Sequence, residues 1–483
     1  MQQTASIAKV STGIEGLDEV TSGGFPRGRP VLICGSAGCG KTLFGIQFLV
    51  KGIVESDEPG VFVSFEETSI DLTNNVASLG FDLDKLTSEG KLRIDHVQIE
   101  RSEIEETGEY DLEGLFIRLN YAIDAIGAKR VVLDTIESLF SGMQNEGLLR
   151  AEIRRLFGWL KEKGVTTVIT GERGNNTLTR QGLEEYVSDC VILLDFRVVD
   201  QIATRRLRIV KYRGSTHGTN EYPFLIDENG ISVIPITSLK LDYGASSDVI
   251  STGLPPLDAL FKKGGFYKGG STLISGTAGT AKTILAGYFA LGSCLRNERV
   301  LLFSFEEAPD QTIRNLLTIG IDLRPYIDSK LLLIHASRPT LYGLEMHLLV
   351  VNKLLVEFKP KAVIVDPISS LVSVGSPLEV KAMLVRLIDT LKIHKINALF
   401  TCLMSRIGST ADDGTIEAVS SLADNWLFLQ NELVDSKRQR SMLIVKSRGM
   451  EHYNDSVNFT ISPAGISFAA SSTPATSNSA NGK

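Results

Sequence analysis

The octapeptide Gly35-Ser-Ala-Gly-Cys-Gly-Lys-Thr42 lies between the apolar run Val31-Leu-Ile-Cys34 and a stretch with apolar residues at helical spacing, Phe44 to Val54. A glycine-rich loop between a buried strand and a helix is typical of the P-loop, in which backbone N–H groups and the helix N-terminus surround phosphate groups. In such a loop the lysine, here Lys41, contacts the β and γ phosphates, and the next hydroxyl, here Thr42, holds Mg²⁺. The octapeptide therefore predicts a site for ATP and Mg²⁺.

The same pattern occurs a second time in the other half of the chain. Gly276-Thr-Ala-Gly-Thr-Ala-Lys-Thr283 matches the octapeptide, Ser304-Phe-Glu-Glu307 matches Ser64-Phe-Glu-Glu67, and Lys446-Ser-Arg-Gly449 matches Lys211-Tyr-Arg-Gly214. Agreement of three separate segments in the same order indicates two copies of one domain. The predicted phosphate-binding residues of the two copies are Gly35, Gly38, Gly40, Lys41, Thr42, Gly276, Gly279, Lys282 and Thr283.

Within each copy, short β-rich runs alternate with amphipathic helical patterns. This alternation predicts an α/β fold, a mainly parallel twisted sheet flanked by helices. We expect residues 1–240 and 248–468 to form two such domains in tandem, joined near Ile236 to Asp248, where polar residues replace the apolar periodicity. Residues 469–483 are rich in Ser, Thr, Ala and Asn without periodicity, so we expect this tail to be disordered.

Composition and charge restrict the class of protein. Hydrophobic residues make up 43% and charged residues 22%, as in soluble globular proteins, and the net charge of −7 argues against affinity that depends on neutralising nucleic-acid phosphates. The sequence contains neither an N-terminal signal pattern nor an uncharged apolar run of the ~18 residues that span a membrane. The five cysteines form no CxxC pair, which favours reduced thiols in the cytoplasm over disulfides or a zinc site.

Carboxylates follow buried strands at two places in each copy. Asp134 ends the run Arg130-Val-Val-Leu and Asp366 ends Ala362-Val-Ile-Val, and a carboxylate at this edge of a parallel sheet is placed to hold Mg²⁺ or its waters. Taken alone, an Asp at a strand end is more often a helix cap. Adjacent glutamates close a second strand, either as solvated side chains or as catalytic groups that orient water or a hydroxyl, and these are Glu66, Glu67, Glu306 and Glu307.

Two pairs of cations lie late in the copies, far in sequence from the P-loops: Lys211 with Arg213, and Lys446 with Arg448. Alone, they are consistent with surface charges. In a ring of P-loop domains, however, this region meets the nucleotide of the neighbouring subunit, where a cation stabilises charge on the transferring phosphoryl group.

The ordered set of P-loop, Ser-Phe-Glu-Glu, strand-end Asp and Lys-x-Arg-Gly, present twice, resembles the KaiC family over essentially the whole chain except the tail. The segments Gly60-Val-Phe-Val-Ser-Phe-Glu-Glu67 and Lys211-Tyr-Arg-Gly-Ser-Thr-His217 are similar to that family's first domain almost residue for residue. The resemblance implies two RecA-like domains, ATP hydrolysis, and a double-ring homo-hexamer with ATP between subunits. It also implies that the two cation pairs and His217 contact the ATP of a neighbouring subunit.

In the KaiC family, the second domain phosphorylates a Ser-Thr pair that precedes an Asp and an apolar strand. This chain has Ser420-Ser421 at that place, whereas Glu185 and Tyr186 occupy the matching positions of the first copy. The resemblance therefore implies serine autophosphorylation in the second domain only, with Glu306 as general base and Thr415 as a third hydroxyl nearby. A Ser-Ser pair that merely closes a loop is the structural alternative.

Clock members of the family bind KaiA through a charged C-terminal segment, whereas residues 469–483 include one charged residue. We therefore expect a KaiB-like or signalling partner rather than KaiA. Two other functions stay open: a RecA- or DnaB-type DNA-dependent ATPase, which the negative net charge disfavours, and a nucleotide-gated assembly scaffold with slow hydrolysis. Ala281 is compatible with a scaffold role of the second copy, because it replaces a P-loop glycine at a position where a Cβ can strain the backbone.

Overall fold

The computed structural model describes residues 7–97, 112–139, 146–174, 177–179, 188–199, 202–235, 244, 246–404, 419–434 and 437–468. The chain divides into two compact units, Met1–Ser238 (the first unit) and Leu239–Lys483 (the second unit). The tail, residues 469–483, and most of the expected junction, residues 236–243 and 245, lie outside the described residues.

Strands and helices alternate along the first unit. Its described strands are β1 (Lys9–Val10), β2 (Phe25–Pro26), β3 (Pro30–Gly35), β4 (Gly60–Ser64), β5 (Leu92–His96), β6 (Arg130–Asp134), β7 (Thr166–Glu172), β8 (Cys190–Val199), β9 (Ile202–Tyr212), β10 (Glu221–Asp227) and β11 (Gly230–Val233). Its described helices are α1 (Leu17–Val20), α2 (Lys41–Ser56), α3 (Ser69–Ala77), α4 (Leu83–Ser88), α5 (Glu113–Ile126), α6 (Ile136–Leu139) and α7 (Glu146–Glu162).

The sheet of the first unit has the strand order β11-β10-β9-β8-β3-β7-β6-β4-β5. The strands from β8 to β5 pair in parallel, and β9, β10 and β11 extend the sheet through antiparallel pairs. Alternate side chains of the central strand β3 belong to two different core clusters. Val31 and Ile33 pack in one cluster, and Leu32 and Cys34 pack in the other. Helices therefore bury both faces of this sheet, which explains the continuous apolar run of β3.

The second unit has elements in the same sequence. Its described strands are β12 (Val249–Ile250), β13 (Phe266–Tyr267), β14 (Ser271–Gly276), β15 (Val300–Ser304), β16 (Leu332–Ala336), β17 (Ala362–Asp366), β18 (Asn397–Leu403), β19 (Asn425–Val434), β20 (Lys437–Ser447), β21 (Val457–Ser462) and β22 (Gly465–Phe468). Its described helices are α8 (Pro255–Asp258), α9 (Lys282–Leu295), α10 (Pro309–Leu317), α11 (Arg324–Asp328), α12 (Leu344–Phe358) and α13 (Pro377–Ile393), with 3-10 turns at Pro339–Leu341 and Ile368–Ser373.

The sheet of the second unit has the order β16-β15-β17-β18-β14-β19-β20-β21-β22, the first unit's order strand for strand. The predicted α/β fold of two mainly parallel sheets flanked by helices is confirmed. Over the residues that the structure describes, no helix is long and apolar enough to span a bilayer.

The first unit contains a buried ion pair whose arginine is replaced by alanine at the matching position of the second unit. The guanidinium of Arg130, 1% exposed, donates to Glu58 Oε2 at 2.8 Å and to the Phe48 carbonyl oxygen at 2.8 Å, and lies 4.5 Å from the centroid of the Phe48 ring. Burial lowers the pKa of Arg130, and the bond to Glu58 opposes that shift. Ala362 occupies the matching strand position in the second unit, so only the first unit depends on this pair.

We expect Glu58→Ala to lower the free energy of unfolding by about 3–5 kcal/mol, because it leaves a buried guanidinium without its counter-charge. Arg27→Ala is the matched control, since Arg27 bonds the other oxygen of Glu58 at 3.1 Å from a side chain that is 54% exposed. It should cost less than ~1 kcal/mol. Urea-unfolding midpoints of the two full-length variants measure the difference, and equal shifts would contradict the prediction.

Candidate nucleotide-binding sites

The loop between β3 and α2 has the backbone shape that its glycines permit. Gly38 and Gly40 adopt the left-handed φ values of 74° and 102°, which residues with a Cβ rarely adopt. The ammonium of Lys41 folds back over this loop and donates to the carbonyl oxygens of Gly35 and Ser36, both at 3.0 Å. The loop and its lysine therefore surround a cradle at the N-terminus of α2, suited to an anion.

The matching loop of the second unit keeps this shape although Ala281 replaces glycine. Ala281 has φ 79°, at a cost of about 1–2 kcal/mol for a residue with a Cβ. Its methyl group is buried in the same apolar cluster as Ile466. Lys282 donates to the carbonyl oxygens of Gly276 at 2.9 Å and Thr277 at 2.8 Å, as Lys41 does in the first unit. Burial lowers the pKa of Lys282, and the nearby Asp366 carboxylate opposes this shift.

The strand-end aspartates lie beside the P-loops. Asp134 accepts hydrogen bonds from the hydroxyls of Thr42 and Thr170, and Asp366 accepts from those of Thr283 and Thr401. Burial raises the pKa of both carboxyls, and these hydroxyls and the P-loop lysines oppose the shift.

Each pair of one hydroxyl and one carboxylate supplies the oxygen ligands that Mg²⁺ prefers. Within the part of the chain that the structure describes, no group of three or more His, Cys, Asp or Glu side chains is arranged to hold a metal. A magnesium ion at Thr42 and Asp134, or at Thr283 and Asp366, would therefore take its remaining ligands from nucleotide phosphates and water.

The adjacent glutamates point to different surroundings. Glu66 lies at the sheet edge next to Asp134, where its Oε1 accepts from Ser138 at 2.7 Å and from Thr135 at 3.1 Å. Glu67 accepts instead from Asn75 on α3 at 3.2 Å.

The second unit repeats this divergence. Glu306 Oε1 accepts from Ser370 at 2.9 Å, while Glu307 accepts from Asn315 at 3.3 Å and Thr312 at 3.3 Å on α10. One glutamate of each pair, Glu66 or Glu306, therefore lies with the strand-end aspartate, and the other contacts a helix.

The cation pairs lie level with the first residues of the central strand, β3 or β14. The P-loop of the same unit follows the other end of that strand. Ser447, between Lys446 and Arg448, pairs with Asn425, and Asn425 pairs with Thr272 at the start of β14. Gly276 is four residues further along β14, about 13 Å at ~3.3 Å per residue. The same register places Tyr212, between Lys211 and Arg213, beside Cys190 and thus at the start of β3.

The structure brings the second pair of cations to the two serines. Residues 419–422 are helical, with Ser420 half-buried and Ser421 exposed. Lys446 donates to the backbone carbonyl oxygen of Ser420, and Arg448 to that of Ser421. Thr415, Glu185 and Tyr186 lie outside the described residues.

In the first unit, Arg213 lies 3.9 Å from Asp189 in an ion pair. The ring of His217 stacks on Tyr212 with centroids 6.4 Å apart, and its Nδ1 lies 2.9 Å from the Gly218 carbonyl oxygen. His217 therefore lies at the end of β9, beside the residue that separates Lys211 from Arg213 in the sequence.

Sequence reasoning missed one arginine in each unit. Arg440 on β20 donates to the carbonyl oxygen of Gly279 in the P-loop of its own unit at 3.2 Å. Arg205 has the matching place on β9. Burial raises the pKa of the Cys39 thiol in the first P-loop, and the charges of Lys41 and, more weakly, Arg205 oppose this shift. Both arginines precede the lysine of the Lys-x-Arg-Gly motif by the same number of residues, and that spacing is the signal that would have identified them.

Comparison with known proteins gives a consistent result. A family model described as "ATPase: KaiC" matches residues 10–238 and 250–473. The chain is 56% identical to "Circadian clock protein KaiC2" of Synechocystis sp. over 464 residues, which cover 96% of this chain and 82% of that protein. It is 37% identical to "Circadian clock oscillator protein KaiC" of Synechococcus elongatus over 462 residues, which cover 95% of this chain and 89% of that protein.

The family model therefore matches once in each unit and includes both P-loops, both strand-end aspartates and both cation pairs. This confirms the resemblance that the repeated motifs indicate, and with it the predicted pair of RecA-like P-loop domains. The chain belongs to the KaiC family of ATPases.

Proposed function

We propose that this KaiC-family ATPase assembles into a double-ring homo-hexamer, binds Mg-ATP between neighbouring subunits, and phosphorylates itself on Ser420 and Ser421. The relatives described above are named as circadian clock proteins, which supports a role as a clock or signalling timer. A KaiB-like or signalling protein is the partner that this role requires. The observation on which the proposal rests is the position of the two serines relative to the P-loop of their own unit.

The serines and their cations lie at the start of β14, whereas the P-loop follows its end. Asp424 fixes the serine segment at this edge, because its Oδ2 accepts from Ser271 N and Oγ, both at 2.9 Å. A P-loop nucleotide of the same unit would therefore lie beyond a strand length of about 13 Å. In a ring, the start of the sheet in one subunit faces the P-loop of the next subunit. The serines can therefore take the phosphoryl group from the ATP of a neighbouring subunit, whereas the ATP of their own subunit lies too far away.

Glu306 is the proposed general base because it lies next to Asp366 and Ser370, at the P-loop edge of the sheet. In the transfer, the Oγ of Ser420 or Ser421 bonds to the γ phosphorus, and the bond from that phosphorus to the β–γ bridging oxygen breaks. The serine proton passes to the Glu306 carboxylate, and ADP leaves. Magnesium at Thr283 and Asp366 would neutralise phosphate charge during this step.

In the first unit, Glu66 is the proposed base that orients water for hydrolysis. Lys211, Arg213 and His217 would contact the nucleotide from the neighbouring subunit, as Lys446 and Arg448 would in the second unit. Arg205 and Arg440 would contact it from the subunit that supplies the P-loop.

Incubation with Mg-ATP should add phosphate that intact mass spectrometry detects, and Ser420→Ala with Ser421→Ala should remove it. Lys282→Met chains keep the serines without a working second P-loop, and the double-alanine chains keep the P-loop without the serines. Neither variant should gain phosphate alone. Mixed hexamers of the two should gain phosphate on the Lys282→Met chain.

Wild-type protein that stays unphosphorylated, with a ring that forms only with ATP, would favour the assembly scaffold instead. Phosphorylated wild type with unphosphorylated mixed hexamers would show transfer within one subunit and overturn the interface geometry. ATP hydrolysis that single-stranded DNA stimulates in a salt-sensitive manner would favour a DNA-dependent ATPase.

A further inference from the structure

A serine lies four residues after the strand-end aspartate in each unit and bonds the glutamate proposed as base. Ser138 Oγ donates to Glu66 Oε1 at 2.7 Å, and Ser370 Oγ donates to Glu306 Oε1 at 2.9 Å. Ser138 belongs to helix α6, and Ser370 to the 3-10 turn Ile368–Ser373. The same contact therefore forms from two different local structures.

Strand pairing fixes both partners of this contact in the second unit. Ser304 pairs with Asp366 at the ends of β15 and β17, and Phe305 N donates to the Asp366 carbonyl oxygen at 3.0 Å, which extends the pairing past the strands. Glu306 follows Phe305 directly, and the turn with Ser370 follows Asp366. The backbone thus holds the glutamate and the serine at the same sheet edge.

Over the described residues, the two units differ in how many hydroxyls hold the glutamate. In the first unit, Thr135 also donates to Glu66 Oε1, at 3.1 Å. In the second unit, Pro367 follows the strand-end aspartate and has no hydroxyl to donate. Among the residues that the structure describes, Ser370 is therefore the hydroxyl that holds the Glu306 carboxylate, whereas Ser138 shares this role with Thr135.

We propose that Ser370 is a positioning residue for phosphoryl transfer in the second unit. It fixes Oε1 of Glu306 and leaves the other carboxylate oxygen to take the proton of the attacking hydroxyl. This inference rests on the proposed function in its assignment of Glu306 as base. It also predicts that the second unit is more sensitive to loss of its serine than the first unit, because Thr135 still holds Glu66 when Ser138 is removed.

The test is a double-mutant cycle on the full-length protein, measured as the initial rate of phosphate incorporation. Ser370→Ala should lower this rate about 10-fold through misplacement of the base, with an unchanged KM for ATP. Ser370→Thr should restore the rate to within about 3-fold of wild type, since it keeps the hydroxyl. In a Glu306→Gln background, Ser370→Ala should have no further effect, because the base through which it acts is gone.

Ser369→Ala is the matched control. Ser369 Oγ accepts from Leu403 N at 3.0 Å, and we expect its removal to change the rate less than about 2-fold. An equal Ser370→Ala effect with and without Glu306, or a raised KM for ATP with unchanged kcat, would overturn the inference.

Absence of phosphate on the wild type would refute the proposed autokinase activity without deciding the role of Ser370. In that case the same cycle is measured on ATP hydrolysis in a Glu66→Gln background, which removes the proposed base of the first unit and keeps its P-loop. A Ser370→Ala effect that disappears with Glu306→Gln would support the inference, and one that persists would overturn it.

Discussion

Replacement of Glu306 by glutamine is expected to lower the rate of phosphate incorporation at Ser420 and Ser421 by about 10²–10⁴-fold, the range for loss of a general base. Glutamine keeps the shape of the side chain and its bond from Ser370 but accepts no proton. Glu307→Gln should change the rate by less than about 3-fold, because Glu307 contacts Asn315 and Thr312 on α10 rather than the sheet edge.

Time courses of phosphopeptide intensity after addition of Mg-ATP measure both rates, and thermal unfolding shows whether the variants are equally folded. Glu66→Gln and Glu67→Gln form the parallel pair for hydrolysis in the first unit. A larger loss for Glu307→Gln than for Glu306→Gln would show that Glu307, not Glu306, is the base, and would contradict the mechanism.

The fold was predictable from the chain because its signals are local. Glycine at the left-handed positions of the P-loop, apolar runs of strand length, and repetition of the whole pattern each depend on neighbouring residues. The structure adds that the backbone keeps this loop shape at Ala281, φ 79°, in spite of the Cβ. Packing of the methyl group in the apolar cluster offsets part of that cost.

The different positions of adjacent glutamates were not predictable in the same way. The sequence places Glu66 beside Glu67, and only the strand pairing of Ser64 with Asp134 decides which one meets the aspartate. Contacts between elements distant in sequence, such as Arg440 with Gly279, also depend on sheet register. A bulge between Trp426 and Leu427 shifts that register just before Lys446, and no local pattern in the sequence indicates it.

Lys41→Met and Lys282→Met are expected to affect different properties of the protein, hexamer assembly and phosphate incorporation, because the two units have different proposed roles. Lys41 is buried and Lys282 is half-buried, and the loss of either cation leaves phosphate charge unpaired, a cost of about 2–5 kcal/mol in nucleotide binding. We expect Lys41→Met to prevent ATP-dependent hexamer assembly. We expect Lys282→Met to leave the hexamer intact and to abolish phosphate incorporation.

The reason for this asymmetry is the difference between the two P-loops and their surroundings. The first loop has glycine at every left-handed position, whereas the second contains the strained Ala281, and only the second unit has the two serines beside its cation pair. Sedimentation velocity with and without ATP measures assembly, and intact mass measures phosphate on the same samples. Loss of the hexamer in Lys282→Met, together with persistent assembly in Lys41→Met, would reverse the assigned roles, because the second P-loop would then be the one that ATP uses to close the ring.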